Sequence, residues 1–348
     1  MKGRVPKPRK AAPSKTAPTI HDVAHRAGVS PATVSNVLGG TRGVRSDSRA
    51  LVIQAAAVLG YKSNHMASSL RRGNTRTIGV VVPNLANEFF SALVTHWEAE
   101  AAKAGYEILV VASEDDVATE ARRIQSVIAR RVDGILIAPA LDAFGASSGF
   151  PKYLPPTVLV DRAFGHQKFD TVSSDNLDAG YVGTRHLIQL GHRDIAVLTS
   201  ADSHYHLRNR VDGYRKALSE AGLAGRERLV IGGRSVEACR AVIERELRRP
   251  DRPTAIFATT FFSTLGTIKA IHSLGIAFPC DISLVAFEHS EWMTAVRPYL
   301  TAVAQQSEQL AGQSWRVLME RIARPAAKRQ RITIPVHLSI RESARPSP

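Results

Sequence analysis

The 348 residues, 44% of them hydrophobic, are enough for two or three compact units, each with its own core. No apolar run approaches the roughly 18 residues a membrane span needs, and the first eighteen residues carry positive charge with no apolar stretch behind it, so neither an anchor nor a secretory leader is read and a cytoplasmic location is expected. The formal charge of +15 is uneven: residues 1–18 hold six bases and no acids, residues 19–76 hold eight bases against two acids, and everything beyond carries only +3. A basic front on a near-neutral body points to a polyanionic partner.

Residues 1–18, rich in Pro, Lys, Ala and Ser, read as a disordered basic tail. Thr19 then starts a helix, with Asp22 as its capping-box partner, Ile20, Val23, Ala24 and Ala27 on one face, and Gly28 as its stop. Ser30 caps a second helix, and Pro31 sits at its first position, where a missing N–H costs nothing. Val34, Val37 and Leu38 form its buried stripe, Thr33, Ser35 and Asn36 lie on the other side, and Gly39-Gly40 end it. Ser46 is expected to cap a third helix, buried along Leu51, Val52, Ala55, Ala56 and Leu59 and closed by Gly60. Two short helices joined by a glycine turn, the second with a small polar face, have helix-turn-helix geometry, in which the second helix enters the DNA major groove.

Asn64 can cap a further short helix reaching about Leu70, too short to be stable alone. From Thr77 onward, apolar strands alternate with helices of 10–15 residues, as in doubly wound parallel sheets. The strands are read at 77–82, 106–112, 134–138, 157–161, 171–174, 195–199, 229–231, 255–258, 283–287 and 332–338, with a helix at about 210–221 and a long one at 307–323. Cys239 and Cys280 are read as reduced and buried, and no metal, disulfide or cofactor is expected.

The segments Thr19-Ile20-His21-Asp22-Val23-Ala24, Ala27-Gly28-Val29-Ser30, Thr33-Val34-Ser35, Leu59-Gly60-Tyr61, Ala67-Ser68-Ser69-Leu70-Arg71 and Thr77-Ile78-Gly79 closely resemble the LacI/GalR family of transcription regulators, and the resemblance runs from residue 19 to about 342. It implies a three-helix helix-turn-helix head at 19–62, a hinge helix and linker at 63–76, and an α/β core at 77–342. The core would be two Rossmann-like subdomains of the periplasmic-binding-protein-like type I. Subdomain one is expected at 77–161 plus 291–323, subdomain two at 162–290 plus 324–342, and residues 343–348 form a tail.

By resemblance, Pro31, Ala32 and Asn36 occupy the positions that choose operator bases. Pro31 and Ala32 offer apolar contact, and Asn36 can pair bidentately with adenine. Thr33 and Ser35 reach phosphates or base edges, while Arg42, Arg45 and Arg49 contact phosphates, which position without specifying. Several family members carry Arg where Asn36 stands, so a different operator is expected. Leu70 matches the family leucine that wedges into the minor groove, with Met66 and Ala67 beside it.

In the core, the resemblance implies an effector between the carboxyl ends of the strands. Asp161 and Arg162 stand in the family form Val-Asp-Arg, Arg210 matches Arg-x-x-Gly-aromatic, and Phe90 matches a pocket-lining aromatic. Two elements depart from the family. Its Asn-Asp pair is here Thr260-Phe261, and its Gly-Phe-Asp-Asp is Ala286-Phe287-Glu288-His289. The first change removes two polar groups, so the effector is expected to differ from a plain neutral sugar, or the pocket to bind nothing tightly.

The expected protein is a regulator of the repressor kind, not an enzyme. It would act as a homodimer or tetramer on a near-palindromic operator, under a carbohydrate-like effector. The rival from another class is a solute-binding protein for sugar uptake, which the basic head disfavours. An enzyme finds no Gly-rich phosphate loop and no Gly-x-Ser-x-Gly elbow in the sequence.

Overall fold

The computed structural model describes residues 18–38, 45–61, 74–140, 142, 144, 150–162, 168–200, 204–288 and 290–347. The chain falls into two compact units, Met1–Thr75 and Arg76–Pro348.

The first unit contains α1 (Ile20–Ala27), α2 (Pro31–Leu38) and α3 (Ser46–Leu59). Thr19 caps α1 in a full capping box with Asp22, and Gly28 at φ 64° closes it. Only a residue without a Cβ takes that conformation cheaply. Ser30 Oγ accepts from the Thr33 N–H at 3.1 Å, which fixes the start of α2. Val23, Ala24, Ala27, Val34, Val37, Val52, Ala55 and Ala56 fill the space between the helices. Two expectations are corrected for α3. Arg45 stands at the N-cap with no side-chain hydrogen bond, and Ser46 lies inside the helix with its hydroxyl on Asp47. Leu51 is 50% exposed, and the packed face of α3 centres on Val52, Ala55 and Ala56.

The second unit is built on two six-stranded sheets. The first runs β11-β5-β4-β3-β1-β2 and the second β12-β10-β9-β8-β6-β7. The strands are β1 (Thr77–Val82), β2 (Glu107–Ala112), β3 (Gly134–Ile137), β4 (Thr157–Val160), β5 (Asp170–Ser174), β6 (Ile195–Thr199), β7 (Arg228–Ile231), β8 (Ala255–Ala258), β9 (Ser283–Phe287), β10 (Thr301–Ala304), β11 (Arg331–Ile334) and β12 (His337–Ser339). All pairings are parallel except β10 with β12. Helices α4 (Glu88–Ala104), α5 (Val117–Ala129) and α10 (Ser307–Ala323) cover the first sheet, while α6 (Asn176–Gln189), α7 (Tyr205–Glu220), α8 (Val236–Leu247) and α9 (Phe261–Ser273) cover the second. Both faces of each sheet are therefore buried, which is why β1, β3, β4, β6, β8 and β9 read as near-continuous apolar runs.

The division into two lobes differs from the expected one. β5 belongs to the first sheet, paired with β4 from Val158↔Asp170 to Val160↔Val172, and β10 belongs to the second, paired with β9. The segment read as one strand at 332–338 is two, β11 on the first sheet and β12 on the second, with Pro335 between them. The chain thus crosses between lobes near Asp175, at Gln305–Gln306 and at Pro335–Val336, each crossing later than expected. Asp170 explains the pull on β5. Its buried carboxylate takes Arg321 Nε and Nη2 of α10 at 2.8 and 3.0 Å and the Gln330 N–H at 2.8 Å. Burying that pair is tolerable only because each oxygen is satisfied within the first lobe. Of the two cysteines, Cys239 is buried as expected, whereas Cys280 is exposed.

Candidate functional site

In the first unit, α2 turns Val34 and Val37 inward and leaves Pro31, Ala32 and Asn36 exposed, with Thr33 and Ser35 half-buried. The spacing of the two buried valines turns Ala32 (two and five positions away) and Asn36 (two and one) to other faces of a 3.6-residue helix, while Pro31 is exposed as the first residue of α2. Thr33 Oγ1 lies 2.9 Å from Ser30 Oγ, so that hydroxyl already has a local partner. Arg45 is exposed and Arg49 half-buried at the start of α3. Arg42, Met66, Ala67 and Leu70 lie outside the described residues.

In the second unit, a cleft with about 560 Å³ of open space, solvent at its mouth included, lies at the carboxyl ends of the strands. Its walls include all seven residues singled out from the sequence: Phe90, Asp161, Arg162, Arg210, Thr260, Phe261 and Glu288. Asp161 follows β4 and Glu288 follows β9, and both sit in the left-handed region, at φ 64° and 77°. Each N–H is tied to the next strand, Asp161 to the Val172 carbonyl and Glu288 to the Val303 carbonyl, both at 2.9 Å. The Arg162 N–H returns to the Val160 carbonyl at 2.7 Å, which makes Asp161 the centre of a γ-turn. Non-glycine residues at such angles cost about 1–3 kcal/mol each, a cost that persists where the surroundings over-determine the geometry.

Arg210 lies within α7, which begins five residues before it, at Tyr205. Glycines set its depth. A Cβ on Gly180 of α6 would lie 1.9 Å from the Arg210 carbonyl oxygen, and one on Gly213 would lie 2.0 Å from that of Leu177. The two helices therefore pack backbone against backbone, and Arg210 is buried to 3% exposure. Its Nε donates to Asn176 Oδ1 at 2.8 Å, its Nη1 donates to the Thr259 carbonyl at 2.7 Å, and its guanidinium lies 3.6 Å above the Phe287 ring. Burial pulls its pKa down to about 10, against the pull of Asp161 and Glu288.

Asp161 Oδ1 accepts from Gln305 Nε2 at 2.7 Å, and the same amide reaches Ser174 Oγ at 2.9 Å. Glu288 differs. Burial pushes its pKa up to about 7 against Arg210, and its Oε2 has no partner among the described residues. Arg162 is paired with Asp115 and lies 5.4 Å over the Phe90 ring, which belongs mainly to the core of the first lobe. Thr260 caps α9 reciprocally with Ser263, so its hydroxyl is occupied by the backbone even though the residue lines the cleft. Phe261 stands beside it, edge-on to Phe262 at 5.8 Å.

Sequence reasoning missed His204, His206, Gln305 and Arg234. The two histidines precede residue 210, where the sequence pattern predicts the helix to begin, and Gln305 follows β10, a four-residue strand outside the predicted set. His204 and His206 are buried with ring centroids 5.4 Å apart. Burial, then the neighbouring Arg162 and Arg234, bring His204 down to about 4. Burial, then Arg210, holds His206 well below the usual imidazole range. The only signal in the sequence was the His-Tyr-His spacing itself. Among the described residues no cluster of three or more His, Cys, Asp or Glu could hold a metal ion, and no helix is long and apolar enough to cross a membrane.

Residues 19–64 match the family described as bacterial regulatory proteins, lacI family, and residues 75–342 match periplasmic binding proteins and sugar binding domain of LacI family. The HTH-type transcriptional repressor PurR of Mannheimia succiniciproducens is 31% identical over 94% of this chain and 98% of its own. The crystal structure of the lac repressor dimer bound to operator and the anti-inducer ONPF superposes with a TM-score of 0.83 at 27% identity, covering 95% of this chain and 100% of that one. The transcriptional regulator CelR in complex with cellobiose gives a TM-score of 0.67 at 26% identity, over 94% and 99%. These relatives are regulators and not enzymes. With a helix-turn-helix unit at one end and a two-lobed ligand-binding core over most of the rest, the chain belongs to the LacI family of DNA-binding transcriptional regulators.

Proposed function

We propose that this protein is a cytoplasmic transcriptional repressor that holds a near-palindromic operator as a homodimer and is switched by a carbohydrate-like small molecule in the core cleft. The observation that carries this reading is the pairing of an exposed Pro31-Ala32-Asn36 helical face with a cleft walled by Asp161, Arg210 and Glu288. The lac repressor dimer on its operator and CelR with cellobiose are relatives of matching architecture, which supports both halves of it.

In the head, α2 lies in the major groove. Asn36 donates to and accepts from an adenine edge, Pro31 and Ala32 meet thymine methyls, and Thr33 and Ser35 supply short polar contacts. Arg45 and Arg49, with Arg42, neutralise phosphates and fix the register. Met66, Ala67 and Leu70 of the two hinges enter the minor groove and kink the operator. In the core, a ligand touching both lobes changes their angle and so the spacing of the two hinges, a coupling of roughly 1–3 kcal/mol. Asp161, Arg162, Arg210 and Glu288 bind its polar groups, Phe90 and Phe261 flank its ring, and Thr260 shapes the wall.

Selection of operators from a random duplex library, followed by base-substitution scans, tests this reading. Asn36→Ala should relax preference at one base pair per half-site, at a cost of roughly 1–3 kcal/mol. Leu70→Ala should weaken specific binding far more than nonspecific binding. Equal losses on operator and random DNA would remove the wedge. A full-length protein that selects no sequence while binding sugars would instead favour a solute-binding role.

A further inference from the structure

The cleft is electrically lopsided. At its floor, Arg210 is flanked by the carboxylates of Asp161 and Glu288. At its mouth stands Arg234, on the loop just before α8. Its Nη1 donates to the Asp115 carbonyl oxygen at 3.2 Å, and its Nη2 lies 3.0 Å from His204 Nε2. A guanidinium can only donate, so His204 Nε2 must present its lone pair, and the ring is neutral with its proton on Nδ1. Both partners of Arg234 are therefore uncharged. The nearby carboxylate, Asp115, is committed to Arg162. Among the described residues Arg234 has no carboxylate partner, and next along α7 His206 Nδ1 is buried with no partner at all. Among the described residues the mouth thus carries one positive charge with no carboxylate partner, beside the neutral His204 imidazole, while the floor offers acceptors suited to hydroxyl groups.

We infer that the effector is a hydroxylated acid, its carboxylate or phosphate ester held at the mouth by Arg234 beside His204 and its hydroxyls directed to Asp161, Arg210 and Glu288. This rests on the reading of the cleft as the effector site. A neutral sugar would leave the Arg234 charge to solvent, whereas an acid places an opposite charge on it and pairs with it ion to ion. The loss of polar groups at Thr260-Phe261 fits the same ligand, since its anchor is Arg234 and not that pair.

The first probe is inorganic phosphate, titrated at constant ionic strength into the full-length protein and into Arg234→Met, with the melting temperature of the core as readout. Arg234 is exposed, so the variant should fold. Arginines of the head bind phosphate equally in both proteins, and the difference between the two curves reports the cleft. The expected result is a saturable stabilisation that weakens about tenfold in apparent affinity in Arg234→Met and is partly restored in Arg234→Lys. Superimposable curves would overturn the proposal. The second probe is matched pairs, D-glucuronate against D-glucose and ribose 5-phosphate against ribose, read by melting and by operator affinity. A neutral member that binds more tightly than its acid and shifts operator affinity overturns the acid proposal and leaves the effector reading standing. An acid that binds through Arg234 without changing operator affinity supports the proposed chemistry and removes the reading of control.

Discussion

The two lobes repeat one wiring plan and put a carboxylate at the same place in each, yet the two carboxylates live in different surroundings. Asp161 and Glu288 each follow the strand that lies third from the edge of its sheet, each at positive φ, each tied by its N–H to the neighbouring strand. Asp161 is met by the amide of Gln305, whereas one oxygen of Glu288 meets nothing and its pKa rises to about 7. The backbone device is shared, and the surroundings differ: Gln305 meets Asp161, while Glu288 is pushed up by burial even though the Asn87 side chain reaches it from the first lobe. The lobes also differ in how they hold their helices, the first by the buried Asp170–Arg321 pair and the second by close approach at Gly180 and Gly213.

The sharpest way to break this comparison is to remove the device particular to the first lobe. Asp170→Ala leaves the Arg321 guanidinium buried without its partner and should cost roughly 3–5 kcal/mol, read as a lower urea midpoint at unchanged slope. A loss below about 1 kcal/mol would mean that the ion pair does not anchor α10. Next in size is Glu288→Gln. The folded-state pKa of Glu288, about 7, lies above its ordinary 4.5, so the stability it contributes is full below about 4.5 and is lost as pH rises through 7. The variant should therefore match the parent near pH 4.5 and exceed it at pH 8, by at most roughly 3 kcal/mol. Parallel curves of stability against pH would show that Glu288 is solvated. Glu120, also pushed up to about 7 by burial, supplies a second contribution of the same sign that the Glu288 variant leaves in place. The smallest effect is expected from Asp161→Asn. Asparagine tolerates positive φ and keeps an oxygen for Gln305, so the change should stay below about 1 kcal/mol while still removing a charge from the cleft. A drop several times larger would mean that the negative charge itself holds Gln305.

Much of this was legible in the sequence because it is local. Thr19 with Asp22, Ser30 before Pro31 and Gly28 in its turn are short-range hydrogen-bond and backbone preferences, and the head follows from them. The seven cleft residues were legible for a different reason, since they sit in motifs whose family resemblance carries them to one place. What stayed hidden depends on partners distant in sequence. β5 joins the first sheet because Asp170 finds Arg321, 151 positions away, and nothing in Asp170–Ser174 announces that. Leu51 reads as buried by spacing and is half exposed, because the face that meets the other two helices is that of Val52, Ala55 and Ala56. Gln305 and the two histidines were missed because they sit at element ends, where periodicity fades.

The last two strands carry a consequence for how the molecule is made. β11 completes the edge of one sheet and β12 the edge of the other, and both are synthesised after residue 330. The head, whose three helices end at Leu59, has all its core residues long before either lobe has its full set of strands. On a ribosome releasing about 5–20 residues each second, a folded DNA reader therefore precedes its control unit by many seconds. Any chain that stops short of β11 keeps the reader and leaves both lobes without an edge strand, so truncation near the end strikes both halves of the cleft together.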